Sequence, residues 1–422
     1  MGGTLRGRVG GAALAVALLA ACSGGGDGDA TEATTTTAEA TTTTGAETTT
    51  TAPYVPVAQL TQIVSAWAPG GLDPGFVAAV PTLPGVVGAT VVQGDRLMLA
   101  DGAPAGMGIP LDALAIDPAT YPAFVAPEVQ EPLARLGRGE AVLGATSATL
   151  RGLAAGGVLT LLDGTRLTVA AVLPDDAVAG AEVVVARGTV PAIDTDRYAL
   201  VAHAGDVQAV AGALRDAFPA ERPLRVRQPG EARFLRHGDG VSTDAEVKAA
   251  FGELAFAEGP TRDFLAWDTA WSDAHVGSMA MPILGTVECN VAVLDALRDV
   301  LREVDELQEA ILDEQFAQQV AEAQAATTLP ADPNVPPPEL GPLEPLPYPL
   351  LEPDANLGCW NPRLIDAGAG VSRHAYGIAI DLRAPAVTGE HDPRLIEIFE
   401  DHGFTWGGDF LAPDPIHFEW VG

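Results

Sequence analysis

The sequence predicts an α+β protein in which a separate β-rich α+β module precedes a part with longer helices. From about residue 56 to 244, short aliphatic and β-branched runs alternate with Gly, Asp and Pro, which is typical of strands joined by turns. From residue 245 onward, apolar residues recur instead at helical spacing. Because 422 minus 55 leaves 367 residues after a threonine-rich tract, we expect at least two folded domains, 56–244 and 245–422.

The first 21 residues have the features of an export signal. Two arginines, Arg6 and Arg8, precede an apolar run over residues 12–20, which is too short to span a bilayer. The run ends in Leu-Ala-Ala before Cys22, and this arrangement resembles a bacterial lipoprotein signal. We therefore expect cleavage before Cys22, lipidation of its thiol and anchoring to a membrane outside the cytoplasm. The alternative is an ordinary secretory signal with an incidental cysteine.

Residues 22–55 are dominated by Thr, with Gly, Asp, Ala and Glu, and include the runs 34–37 and 48–51 of four threonines each. Such a composition offers almost nothing to bury, so we expect a disordered tether between the membrane and the folded domains.

The formal net charge of -33 limits the classes of partner. Binding to nucleic acid requires clustered Lys and Arg, which this chain lacks in sequence, so we expect no nucleic acid partner. Adhesion to anionic wall polymers through bulk charge is excluded on the same ground.

Cysteine usage is consistent with an exported protein. Besides Cys22 the chain contains only Cys289 and Cys359, an even pair that predicts a disulfide in an oxidising compartment. Two buried free thiols are the alternative.

The β-rich module contains clear strand and helix patterns but no convincing catalytic group. Residues 158–162 and 167–173 predict a hairpin around the turn Asp163-Gly164, and Asp206 caps a predicted helix that extends to residue 218. His203 and His237 are isolated in sequence, which favours structural or solvent-facing roles. The order of elements resembles the extracytoplasmic core domain of MacB-type and FtsX-type permeases. That resemblance implies a binding or positioning module, with an envelope protein as its partner.

The carboxyl-terminal part begins with a helical pattern over residues 245–257 and an extended segment over 282–289. Asn290 then caps a long predicted helix that runs towards residue 326. Residues 327–353 are rich in proline, which predicts an extended surface insertion rather than a helix or a central strand.

Three residues near the carboxyl terminus form a candidate metal-binding set. His374 and Asp381 flank a glycine and a short apolar run, and His417 lies 36 positions after Asp381 (417 minus 381) in a second strand-like run. Two imidazoles and one carboxylate suit a catalytic zinc, which keeps one position open for water. By spacing alone, surface residues in an acidic chain are an equally good interpretation.

The surrounding motifs resemble the VanY-type family of zinc peptidases, which includes D-alanyl-D-alanine carboxypeptidases and L-alanyl-D-glutamate endopeptidases. The resemblance covers about residues 250–422, and its specific motifs are GCWNPR, SRHAYGIAID, GFTWGGDF and DPIHFE, at 358–363, 372–381, 403–410 and 414–419. It implies a small antiparallel sheet with flanking helices and a zinc ion held by His374, Asp381 and His417.

The same resemblance assigns roles to three further residues. Asp414 would be the catalytic base, Arg363 would polarise the scissile carbonyl, and Ser372 would be a minor contact to the substrate or to the ligands. Glu419 is the rival base because it shares a strand face with His417. The family pattern gives no role to two intervening histidines, His391 and His402, which we therefore expect at the surface.

Together these features predict a membrane-anchored extracytoplasmic zinc peptidase that acts on peptidoglycan stem peptides. Whether it removes a terminal D-alanine or cuts internally stays open. The alternative is a non-catalytic wall-binding or transporter-associated lipoprotein that retains the peptidase fold. Asp414 and Arg363 argue against the alternative, because a binding relic needs neither residue.

Overall fold

The computed structural model describes residues 62–229, 242–259, 265–327, 349–365, 370–386 and 388–422. The predicted signal peptide, Cys22, the tether, His237 and most of the proline-rich insertion lie outside these residues. None of the helices in the described ranges is both long enough and apolar enough to cross a membrane.

Within the described residues, the amino-terminal module is built on a nine-stranded sheet in the order β5-β6-β4-β7-β3-β2-β8-β1-β9. The β3/β7 and β4/β6 pairs are parallel and the other pairs are antiparallel. The strands are β1 (Ile63–Trp67), β2 (Val86–Leu99), β3 (Ile109–Ile116), β4 (Glu140–Gly144), β5 (Val158–Thr160), β6 (Arg166–Leu173), β7 (Val183–Ala186), β8 (Asp196–His203) and β9 (Arg225–Arg227).

Four helices join these strands: α1 (Pro74–Ala79), α2 (Pro127–Ala134), α3 (Ala145–Arg151) and α4 (Val207–Ala217). The predicted helix after Asp206 is α4, and the Asp206 carboxylate accepts a hydrogen bond of 3.0 Å from the backbone N–H of Gln208. The predicted hairpin is also present as β5 and β6. Its turn is closed by Asp163, which accepts a hydrogen bond of 2.8 Å from the backbone N–H of Thr165.

In the described residues after 242, the strands form two antiparallel pairs and a four-stranded antiparallel sheet in the order β14-β15-β17-β16. The strands are β10 (Phe256–Glu258), β11 (Leu265–Trp267), β12 (Val276–Met281), β13 (Gly285–Asn290), β14 (Asn356–Gly358), β15 (Ala379–Leu382), β16 (Phe404–Trp406) and β17 (His417–Trp420). The helices are α5 (Asp244–Phe251), α6 (Thr269–His275), α7 (Val291–Thr327) and α8 (Pro393–Asp401). The structure is therefore α+β, with a small antiparallel sheet at the carboxyl terminus, as predicted.

The prediction of a helix over residues 245–257 extends past the end of the helix in the structure. The helix α5 ends at Phe251 because Gly252 adopts a φ of 83°, and the chain then enters the strand β10. A positive φ is open to glycine and turns the chain out of the helix, and the apolar residues beyond it belong to a strand. The long helix was predicted correctly, and the Asn290 side chain caps α7 by accepting a hydrogen bond of 3.0 Å from Ala292 N–H.

Cys289 and Cys359 form the predicted disulfide, with their Cα atoms 5.3 Å apart. Both lie in the apolar core of the carboxyl-terminal part, where their exposed fractions are 0% and 4%. Gly377 packs against the same region with a φ of 66°, and a Cβ atom at this position would lie 2.6 Å from the Asn290 nitrogen. Only glycine therefore fits, and this contact aligns the segment before β15 with the start of α7.

All described residues belong to one compact unit, so a domain boundary between 244 and 245 stays a prediction. The helix α5 packs on α3 of the amino-terminal module. Gly108, before β3, and Phe256, in β10, also exchange two backbone hydrogen bonds of 2.9 and 3.0 Å.

Candidate metal centre

The three predicted ligands converge at one point of the carboxyl-terminal sheet. His374 lies on a short 3-10 helix (Arg373–Tyr376), Asp381 lies in β15, and His417 is the first residue of β17. Asp381 and His417 are direct partners in the antiparallel β15/β17 pair, and opposite residues of a sheet have neighbouring side chains. The His374 helix brings the third group from the loop that enters β15.

The ligand atoms form a nearly equilateral triangle. Asp381 Oδ1 lies 3.0 Å from His374 Nε2 and 3.0 Å from His417 Nδ1, and the two ring nitrogens are 3.2 Å apart. In a tetrahedral site with metal–donor bonds of about 2.0–2.1 Å, donor atoms are separated by roughly 3.3 Å. The spacing and the chemistry of the donors therefore fit a divalent transition metal.

The orientation of His374 is determined by its second nitrogen. Its Nδ1 lies 2.7 Å from the carbonyl oxygen of Cys359. Because a carbonyl can only accept, Nδ1 carries the proton and the Nε2 lone pair is directed at the triangle. Since Cys359 is covalently bonded to Cys289, the disulfide adjoins the residue that orients this ligand.

Ser372 supports the same ligand from the other side. Its exposed fraction is 4%, and it caps the 3-10 helix by accepting a hydrogen bond of 3.3 Å from the backbone N–H of His374. This geometry places Ser372 beside a ligand, whereas its predicted contact with substrate stays a prediction.

The charges around the triangle favour a positive charge within it. Although burial acts in the opposite direction, the adjacent imidazoles of His374 and His417 hold the pKa of Asp381 well below its usual range. Burial also opposes a charge on His417, but hydrogen bonds to Asp381 and Glu419 raise the pKa of His417 to about 9. The Asp381 carboxylate, which faces Nδ1 of His417 at 3.0 Å, would face a metal ion in place of this proton.

Arg363 approaches one of the three ligands through its side chain, and Asp414 contacts another through its backbone. Arg363 Nη2 is 3.9 Å from Asp381 Oδ2, and its side chain is 33% exposed, so the guanidinium can reach both the cluster and solvent. The backbone of Asp414 is fixed by hydrogen bonds with Gly407 (2.8 Å) and with the N–H of His417 (3.0 Å). Its carboxyl group is carried on an exposed residue next to a ligand.

Glu419, the rival base, lies in a different environment. Its exposed fraction is 1%, and its Oε1 accepts a hydrogen bond of 3.2 Å from Arg373 Nε. Arg373 is also buried, with an exposed fraction of 2%. A carboxylate enclosed in this way is poorly placed to meet a substrate, which favours Asp414 as the base.

The sequence interpretation was incomplete for Arg373 and wrong for His391. Arg373 stands inside the SRH motif without a predicted role, although a cation next to a ligand in a buried segment was a usable signal. His391 is not at the surface. Its exposed fraction is 6%, and its Nε2 lies 3.1 Å from the Leu382 carbonyl oxygen, so the segment before α8 lies against the end of β15. His402 is partly exposed and lies 2.9 Å from Glu303.

Solved structures with detectable similarity match the chain over about two fifths of its length. They include a domain of a protein described as a permease from Porphyromonas gingivalis (18% identity, 40% of this chain and 90% of that chain, TM-score 0.27). The periplasmic region of MacB from Actinobacillus actinomycetemcomitans also matches (8% identity, 40% and 89%, TM-score 0.29). A third match is the extracellular domain of the noncanonic ABC-type transporter YknZ from Gram-positive bacteria (11% identity, 39% and 100%, TM-score 0.27).

At these TM-scores the structural similarities carry no conclusion about this chain, and no curated protein matches its sequence. A family model is more informative. Residues 366–420 match the model of a peptidase M15 family described as D-alanyl-D-alanine carboxypeptidase, and this segment contains all three residues of the triangle. Residues 366–420 are thus similar to M15 peptidases, which confirms the family resemblance of the sequence motifs.

Proposed function

We propose that the protein is a zinc peptidase that hydrolyses peptide bonds in peptidoglycan stem peptides outside the cytoplasm, anchored through a lipid on Cys22. The observation that carries the proposal is the convergence of His374, Asp381 and His417, with donor atoms 3.0–3.2 Å apart, inside the segment that matches an M15 peptidase model. The predicted export signal supports a place in the cell envelope.

The two histidines and Asp381 would hold the zinc ion. When bound, zinc supplies Lewis acidity, which makes a nucleophilic water available at neutral pH and polarises a carbonyl group. Asp414 would take a proton from the attacking water and pass it to the leaving amine. Arg363 would donate hydrogen bonds to the carbonyl oxygen as negative charge develops on it.

The geometry supports this division of roles. Asp414 is exposed beside His417, whereas Glu419 is enclosed by the protein. Arg363 is held within 3.9 Å of Asp381 while a third of its side chain stays accessible. The exposure of both residues supports roles for Asp414 as the base and for Arg363 as the cation that meets the carbonyl group.

The test is cleavage of a defined pentapeptide stem by the purified protein, followed by mass spectrometry. We expect cleavage that a chelator abolishes and added zinc restores, and the product masses identify the bond. Failure to cleave any stem peptide in the presence of bound zinc would refute the proposal and favour the non-catalytic lipoprotein.

Variants separate metal binding from chemistry. His374→Ala should lose zinc and activity together, whereas Asp414→Ala should keep zinc and lose turnover, by about 10²–10⁴-fold for a general base. Asp401→Ala, which removes an exposed aspartate at the end of α8, is the matched control. Arg363→Ala is compared with Arg383→Ala, because Arg383 is a surface arginine paired with Asp354 at 3.0 Å.

A further inference from the structure

His417 is held between two carboxylates that face its two ring nitrogens. Nδ1 is 3.0 Å from Asp381 Oδ1 at the triangle, and Nε2 is 3.6 Å from Glu419 Oε2 on the opposite side. His417 and Glu419 are two positions apart in β17 and therefore share a face of the strand. Glu419 is thus placed to fix the angle of the ring and the direction of Nδ1.

Glu419 is in turn fixed by Arg373, whose three guanidinium nitrogens each have a partner. Nε donates to Glu419 at 3.2 Å, Nη1 to Asp244 at 2.9 Å and Nη2 to the carbonyl oxygen of Ser242 at 2.6 Å. A buried guanidinium is tolerated only when its donors are satisfied in this way. Asp244 and Ser242 lie at the start of α5, outside the segment 366–420 that matches the peptidase model.

The helix α5 is itself fixed to the amino-terminal module. Lys248, one turn after Asp244, forms a buried ion pair with Glu182, and it also donates to the Pro110 carbonyl oxygen. Glu182 is fully buried and accepts a second ion pair, 2.9 Å long, from Arg151. The helix that receives Arg373 is therefore held by contacts to the sheet of the first module.

We propose that Arg373 is a positioning residue that ties the Glu419 carboxylate, and through it His417, to the start of α5. This inference rests on the proposed function, because it concerns the metal site of that peptidase. Loss of Arg373 leaves Glu419 and Asp244 as buried or half-buried carboxylates without their shared cation, and Glu419 then no longer holds the His417 ring. Loss of such a supporting contact typically weakens metal affinity about 10–100-fold.

The experiment measures the zinc dissociation constant of the full mature protein by competition with a chromophoric chelator. Arg373→Gln should weaken zinc binding about 10–100-fold, and Arg373→Lys should fall between this variant and the wild type. Asp244→Asn should weaken binding in the same direction by a smaller factor, because Arg373 keeps its other two partners. Arg383→Gln, a surface arginine outside this network, should bind zinc as the wild type does.

The fold of each variant is checked by thermal melting of the zinc-free protein. If Arg373→Gln does not fold, the zinc affinity of Asp244→Asn provides the test. That variant keeps the capping box formed by Thr243 and Glu246 at the start of α5. Zinc affinities of Arg373→Gln and Asp244→Asn equal to that of the wild type would overturn the inference. By contrast, wild-type protein that binds zinc but cleaves no stem peptide would overturn only the proposed function.

Discussion

Zinc binding should tighten with rising pH because a proton and the metal compete for His417. The pKa of this residue is raised to about 9. At neutral pH the His417 ring of the zinc-free protein is therefore protonated on both nitrogens. The proton on Nδ1 must leave when Nδ1 becomes a ligand. One proton released per zinc bound means that affinity increases about tenfold for each pH unit below pH 9.

From pH 7 to pH 8.5 the expected change is about 30-fold, or roughly 2 kcal/mol at about 1.4 kcal/mol per pH unit. The stability of the zinc-free protein should move in the opposite direction. The folded-state pKa of His417 lies above the ordinary value of 6.5. The stabilisation that protonated His417 gives the folded protein is therefore complete below pH 6.5 and is lost as pH rises through about 9. The difference of 2.5 between these values corresponds to roughly 3 kcal/mol.

The assay is chelator competition at several pH values, together with calorimetry in two buffers of different ionisation enthalpy to count released protons. His402→Gln is the control, because His402 lies outside the triangle beside Glu303 and should leave the slope unchanged. A zinc affinity that is flat between pH 7 and pH 8.5, with no proton released, would refute the reasoning.

Three further predictions concern the scaffold, and each is measured as the free energy of unfolding by chemical denaturation. Reduction of the Cys289–Cys359 disulfide, whose loop spans 70 positions, should lower the free energy of unfolding by about 4 kcal/mol on the chain-entropy model. Thiol alkylation without reductant should add no mass at these two residues. Gly377→Ala should cost at least about 1–2 kcal/mol, because its Cβ would meet the Asn290 nitrogen at 2.6 Å with a φ of 66°; an unchanged value contradicts this close approach. Asp206→Ala should cost about 1 kcal/mol through loss of the α4 cap, whereas Asp206→Asn should cost less.

The local features of the fold were predictable because each depends on neighbouring residues. The Asp163-Gly164 turn, the cap at Asp206 and the start of the long helix at Asn290 all appear where their residue types predict them. The end of α5 was placed six residues too late (257 minus 251) because apolar spacing continues past Gly252. A backbone conformation, and not the hydrophobic pattern, stops that helix.

The candidate ligand set was predicted from the resemblance of the motifs, because spacing alone left surface residues as an equally good interpretation. The motifs named His374, Asp381 and His417, and the structure brings these three residues together inside the segment that matches the family model. Their distances to one another were beyond sequence reasoning, since they depend on the register of β15 and β17. The burial of His391 was missed for a similar reason, because it arises from a tertiary contact between the segment before α8 and the end of β15.

By itself the chain sequence determines the threonine-rich tract, the number of cysteines and the order of the peptidase-like motifs, and it predicts an export signal, since each is a pattern of residue types along the chain. Tertiary structure alone decided that Arg373 contacts Asp244, 129 positions away, and joins it to the strand of His417. Local periodicity carries no information about such a contact. It exists because burial of a guanidinium requires partners for all its donors, and only the packed arrangement of α5 against the carboxyl-terminal sheet supplies them.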